Sequence, residues 1–140
     1  MPANHNSILA LDVGTVRIGV ALADTVARLP RPLVTLLATD NFVKALQQII
    51  NDEGAIALVI GLPRGLDGQS TDQTRLVEAL AADWPRVFGL PLYFQDEALS
   101  SARAKEELQA RAKPYQKGEV DALAATFILE DYLLANPVAA

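Results

Sequence analysis

SILALDVGTVRIGVALAD, Ser7 to Asp24, is the stretch on which the fold turns. Ser7 to Val13 is almost continuously apolar, the pattern of a strand buried on both faces. Gly14 to Gly19 (GTVRIG) is a tight glycine-bounded connection. Ile18 to Ala23 then reads as a second strand, folded back on the first as a hairpin. Leu33 to Leu37 is a weaker third strand, and Pro30 and Pro32 just before it put it at a sheet edge.

Helices and strands alternate beyond that point. Asp40 is the expected N-cap of a helix running to about Glu53. Phe42, Val43, Leu46, Ile49 and Ile50 form its apolar stripe, and Gly54 ends it. Ile56 to Ile60 is a short buried strand, followed by a loop from Gly61 to Ser70. A helix is predicted from about Thr71 to Phe88, with Leu76, Val77, Leu80, Trp84 and Phe88 along one side and Gly89 as its stop. Leu90 to Phe94 is the fifth strand, Ser100 to about Ala112 a third helix, and Lys113 to Lys117 a polar loop. Glu119 to Ala135 is a last, very apolar helix.

Right-handed crossovers through the first two helices make strands one, four and five parallel, with the opening hairpin as an antiparallel flank. The expectation is an α/β domain of ribonuclease-H-like architecture. It has a mixed five-stranded sheet with helices on both faces, one domain over residues 1–140 and a flexible tail at 1–6. A length of 140 residues suits one core, and an apolar fraction of 51% argues against disorder. Cysteine is absent, which excludes disulfides and thiolate metal sites. Met1 to Ser7 has neither a basic start nor a cleavable apolar stretch, and no apolar run is long enough to span a bilayer. A cytoplasmic protein without a membrane partner is expected.

The net charge of −5 counts against nucleic-acid binding when taken alone. Its distribution does not. Arg103, Lys105, Arg111, Lys113 and Lys117 lie between Ser101 and Gly118 against only Glu106 and Glu107. Such a strip is either a nucleic-acid contact or a solvated helix face, and on charge alone the second is simpler.

Three acidic residues stand out. Asp12 ends a doubly buried strand, where an ionised carboxylate is costly unless paired or metal-bound, and where open α/β sheets place their sites. A turn aspartate bonding Gly14 or Thr15 is the competing reading. Glu97 follows the fifth strand beside Asp96, and parallel strands bring it to the same sheet edge as Asp12. Asp121 shares a helical face with Ala124, Ala125 and Ile128. Each of these last two, singly, also reads as an acid favoured by a helix N-terminus. Together the three suit a hard divalent cation such as Mg²⁺ or Mn²⁺, which takes a few carboxylates plus substrate phosphate, in phosphodiester cleavage. Arg17 and Arg64 lie in loops at the presumed rim and could grip phosphate, as could Arg103 and Lys117 from the basic strip. The loop Gly61 to Gly68 lacks the P-loop pattern. Asp12-x-Gly14-Thr15 also fits the phosphate turn of actin-like kinases, but those close two domains over a nucleotide and this chain has the length of one.

The order and spacing of four segments is more specific than any one of them. These are LALDVGTVRIGVALAD (Leu9 to Asp24), VIGLPRGLDG (Val59 to Gly68), DEALSSARA (Asp96 to Ala104) and GEVDALAATFIL (Gly118 to Leu129). In these, from Ser7 to about Leu134, the chain resembles the YqgF family. That family is also discussed as RuvX-like Holliday-junction resolvases and as nucleases maturing the 5′ end of 16S ribosomal RNA. The resemblance implies a ribonuclease-H-like fold and an acidic site at Asp12, Glu97 and Asp121. Two departures remove positive charge: Val16 and Ala98 stand where the family carries basic residues. The expected activity is metal-dependent cleavage of structured RNA. The alternatives are cleavage of a DNA junction, which requires a homodimer, and a binding protein that has lost activity.

Overall fold

The computed structural model describes residues 6–97, 100–111 and 113–137. The tail expected at 1–6 falls, apart from Asn6, outside the described residues, as does Ala98. The strands are β1 (Ser7–Val13), β2 (Arg17–Asp24), β3 (Arg31–Leu37), β4 (Ala55–Pro63) and β5 (Leu92–Glu97). The helices are α1 (Phe42–Glu53), α2 (Asp72–Ala81), α3 (Trp84–Phe88), α4 (Ser100–Ala110) and α5 (Lys117–Ala135). The sheet order is β3-β2-β1-β4-β5. β1 pairs antiparallel with β2 and parallel with β4, β4 pairs parallel with β5, and β3 is an antiparallel edge. This is the expected mixed sheet, and among the described residues no helix is long and apolar enough to cross a membrane.

The two sheet faces are built from side chains of different size. Leu9, Leu11, Ile18, Val20, Leu22, Leu58 and Ile60 point one way, into a core closed by residues of α1, α2 and α3. Ala10, Ala21, Ala23 and Val59 point the other way, against Ala125, Ile128, Leu129 and Leu133 of α5. Two glycines continue this small-residue face. A Cβ on Gly19 would overlap the backbone carbonyl of Asp121, and one on Gly61 would overlap the Ile128 side chain. Helix α5 therefore lies on the sheet at backbone-contact distance. α4 packs on its outer side through Ala104 and Leu108 against Val120, Leu123 and Ala124.

Several boundaries differ from the sequence reading, each for an identifiable reason. Asn41, not Asp40, is the N-cap of α1. The single helix expected over Thr71 to Phe88 is two. α2 opens with a reciprocal Thr71–Thr74 capping box, and α3 restarts with Pro85 in its first turn. A proline inside a continuous helix would lack its amide bond and strike the carbonyl four residues earlier. The break also changes the buried stripe: Thr74, Val77 and Ala81 face the core, whereas Leu76 and Leu80 are half exposed. β4 runs three residues past the apolar run to Pro63, and β5 runs through Asp96 to Glu97, because Gly61, Leu62 and Pro63 pair with Gln95, Asp96 and Glu97.

The contact of α5 with β2 leads to a direct test. Gly19→Ala is expected to cost about 3 kcal/mol, since rigid backbone must move to admit the methyl group. Gly61→Ala should cost less, because the atom in the way ends a side chain that can rotate. Urea midpoints compare the two variants with wild type at unchanged slope. A wild-type midpoint for Gly19→Ala would contradict the close approach.

Candidate active site

Side chains alternate along a strand. With Leu11 turned toward α1–α3 and Ala10 toward α5, Asp12 faces α5. It pairs across with Gly19 on β2, and one step beyond the Leu11–Ile60 pair it is level with Gly61 on β4. Asp12 thus stands between the two glycines that admit α5. Gly61 is in turn level with Gln95 on β5, which puts Glu97 on the same face two residues further along. Glu97 leans back toward this row, its Oε2 lying 3.5 Å from where a Gly61 Cβ would be. Asp121 arrives from above on α5. The structure therefore brings Asp12, Glu97 and Asp121 to one end of the α5 face.

Neither Glu97 nor Asp121 sits in the first turn of a helix. Glu97 is the last residue of β5, not a first-turn residue of α4. Asp121 is the fifth residue of α5, past the first turn, where Glu119 is the acid. The charges also act on one another. Burial pushes the Asp12 carboxyl up to about 7 from 3.8, with smaller upward pushes from the neighbouring charges of Glu97 and Asp121. Burial raises Glu97 as well. An anionic cluster of this kind is expensive until a cation joins it. The donor set is all oxygen, which fits Mg²⁺ or Mn²⁺. In the structure as it stands, no three acidic, His or Cys side chains among the described residues are close enough together to hold a metal ion. The Asp121 carboxylate is engaged elsewhere: its Oδ2 accepts the Arg17 Nε at 2.5 Å.

The four candidate substrate cations separate into different surroundings. Arg17, in β2 rather than in the preceding loop, lines a cleft of ≈ 320 Å³ with Lys105, Lys117, Val120 and Asp121. Lys117, a predicted substrate cation, and Lys105, another cation of the basic strip, therefore face one opening. Arg64 is tied to Asp96 Oδ1 at 3.1 Å and Ser70 Oγ at 2.7 Å, on the strand neighbour of Glu97. Arg103 clamps α4 to α5, with Asp131 Oδ2 at 3.2 Å, Glu130 Oε1 at 3.8 Å and its guanidinium 4.4 Å from the Phe127 ring centre. Asp131 is ten residues along α5 from Asp121, about 15 Å at the helical rise. Arg111, just past the end of α4, pairs with Glu107 of that helix. The basic strip is not one surface; among the described residues, its Lys105 and Lys117 share a cleft with Arg17 and Asp121. Val16, where a basic residue is missing, is an exposed turn position between β1 and β2.

The sheet order, the helix packed on glycines and the acidic strand end define a ribonuclease-H-like domain. In fold the chain is similar to T. thermophilus RuvC, solved in complex with a Holliday junction substrate. The TM-score is 0.56 at 14% identity, covering 94% of this chain and 97% of that one. A second T. thermophilus RuvC structure gives a TM-score of 0.54 at 13% identity, covering 92% and 95%. Residues 6–135 match the RuvX family, described as Holliday junction resolvase, and the chain belongs to that family. Among its relatives is "Putative pre-16S rRNA nuclease" of Roseiflexus sp. (strain RS-1), 34% identical over 137 residues, covering 95% of this chain and 97% of that protein. Proteins of the same name are 37% identical in Chloroflexus aggregans (95% and 96% covered) and 38% identical in Thermosynechococcus vestitus (93% and 89% covered).

The raised Asp12 carboxyl has a consequence for stability. A folded pKa of about 7 against 3.8 contributes stability that is fully present below about pH 3.8 and is lost as pH rises through 7. Asp12→Asn removes that loss. Metal-free Asp12→Asn should therefore be the more stable protein at pH 8, by on the order of 4 kcal/mol. The gap should close toward pH 4. Thermal unfolding in chelator at both pH values measures it, and a variant less stable than wild type at pH 8 would contradict the assignment.

Proposed function

We propose that this protein is a divalent-metal-dependent endonuclease that hydrolyses phosphodiester bonds in structured RNA, with the 5′ end of precursor 16S ribosomal RNA as its substrate. The observation that carries this reading is the position of Asp12. A carboxyl pushed up to about 7 by burial and by two acidic neighbours, one of which, Asp121, lines a cleft with Arg17, Lys105 and Lys117, is poised for a cation and a phosphate together. The names of the relatives at 34–38% identity support the choice of RNA.

Asp12, Glu97 and Asp121 are the residues that would hold the metal, Asp12 from the centre, Glu97 from the β5 side and Asp121 from α5. When bound, Mg²⁺ or Mn²⁺ would supply activation of water and stabilisation of the leaving oxygen. The chain's own residues do the rest. Glu97, its proton affinity raised by burial, can orient the attacking water and accept its proton. Lys105, Lys117 and Arg17 hold the phosphodiester at the mouth, and α5 over the sheet keeps the inner side of the cluster out of bulk water. Arg64 and Arg103, already engaged with carboxylates, are proposed at most as outer contacts for a long substrate.

A second reading is cleavage of four-way DNA junctions by a homodimer. The family description and the fold shared with RuvC favour it. Purified protein with Mn²⁺ would be given precursor ribosomal RNA and a four-way junction in parallel. Cleavage of the RNA alone supports the first reading. Paired symmetric nicks in the junction, with the RNA intact, support the second. Asp12→Asn should lower the rate about a thousandfold, the scale of several kcal/mol of lost charge stabilisation. Lys117→Gln should raise KM severalfold with little change in kcat. Absence of both cleavage and Asp12-dependent Mn²⁺ binding would leave a nucleic-acid or ribosome-associated binding protein.

A further inference from the structure

Asp121 faces two ways. Toward the sheet, its charge bears on the carboxyl of Asp12. Toward the surface, its Oδ2 accepts the Arg17 Nε in a partly buried pair, with 34% of the arginine and 19% of the aspartate side chain exposed. Arg17 and Asp121 also line the cleft that Lys105 and Lys117 enter. Among the described residues, neither lysine side chain has a hydrogen-bond or ion-pair partner. The cleft thus has two free cations and a third held by an acid belonging to the neighbouring cluster.

We infer that the Arg17–Asp121 pair is a latch: a backbone phosphodiester entering the cleft takes Arg17, and Asp121 is released to complete the divalent-cation site with Asp12 and Glu97. This rests on the metal-dependent reading above. The exchange leaves no charge stranded. Arg17 trades a carboxylate for a phosphate, both bound by charge-assisted hydrogen bonds, and Asp121 trades a guanidinium for the metal. Before the phosphate arrives, a divalent cation on Asp121 would face the guanidinium across one carboxylate, and the two repel. With phosphate present, an anion stands between them. Linkage makes the effect mutual, so that phosphate tightens metal and metal tightens phosphate. Cleavage competence is then gated by the polyanion itself, and the free protein holds its cation weakly.

The test is Mn²⁺ affinity, read from the loss of the free-ion spin-resonance signal, with and without a phosphorothioate-linked RNA hairpin. The hairpin alone is titrated for subtraction. Arg17→Met should tighten Mn²⁺ about tenfold without RNA, and the same change in an Asp121→Asn background should alter it by less than about twofold. RNA should tighten Mn²⁺ about tenfold for wild type and hardly at all for Arg17→Met. Unchanged or weaker Mn²⁺ binding in Arg17→Met overturns the latch. So does an equal gain in the Asp121→Asn background, which would be the simple field effect of deleting a cation. Should Arg17→Met fail to fold, wild type decides alone: Mn²⁺ binding that needs Asp12 but ignores RNA overturns the latch. Failure of every form to bind Mn²⁺ overturns the metal reading itself. If the lysines recruit the phosphate, Lys105→Gln with Lys117→Gln should abolish the RNA-induced tightening.

Discussion

The approach of α5 to the sheet is the constraint from which the rest follows. Interiors pack to near-crystalline density, so a helix can touch a sheet backbone only where side chains are missing on both sides. Gly19 and Gly61 supply the gap on the sheet, and Ala125 keeps the facing side of the helix flat. The same gap sets where Asp12 stands, since it is the one side chain of size between the two glycines in that row. Further along β3, the Thr35 hydroxyl donates to the Gly118 carbonyl at 2.5 Å and pins the start of α5 at the same level. The acidic site is thus a by-product of how the helix is seated, and its geometry is as rigid as that seat.

Rigidity here carries an electrostatic penalty. Folding moves Asp12 and Glu97 out of water, toward each other and toward Asp121, with one arginine to compensate. Functional sites commonly store destabilisation of this kind, offset by the core elsewhere. The offsetting packing is in the opposite layer, where Leu46, Val77, Trp84 and Phe88 close over large side chains of the sheet. One layer stabilises the protein, and the other, paved with alanine and glycine, holds the three carboxylates.

How much of this was legible in the sequence depends on whether the signal was local. The opening hairpin, the parallel trio and the anomaly of Asp12 were readable because apolar runs and a charge at the end of one are features of a few adjacent residues. The family resemblance marked the same three acids. The break at Pro85 had a local signal too, and the apolar spacing of Leu76, Leu80 and Trp84 masked it. By contrast, Gly61 to Pro63 and Gln95 to Glu97 look like loop by composition. They are strand because each pairs with the other, a fact of register that no single segment carries. Nor does a run of Lys and Arg disclose its partners. Nothing in the sequence around Arg103 discloses Glu130 and Asp131, its partners on another helix.

The aromatic residues divide along the same line as the two layers. Trp84 is the chain's single tryptophan, buried between Phe42, with ring centres 5.4 Å apart, and Phe88, at 6.0 Å. All three belong to the layer away from the carboxylates. On the other face, Tyr93 of β5 lies 5.9 Å from Tyr132 of α5. Each layer therefore carries an intrinsic optical reporter, and the third tyrosine, Tyr115, lies against the α4–α5 contact. Indole emission follows the integrity of the α1–α3 layer, while tyrosine signals follow the docking of α5 on the sheet. A loosening of the helix that covers the acidic cluster, short of unfolding, would appear in one channel and leave the other silent.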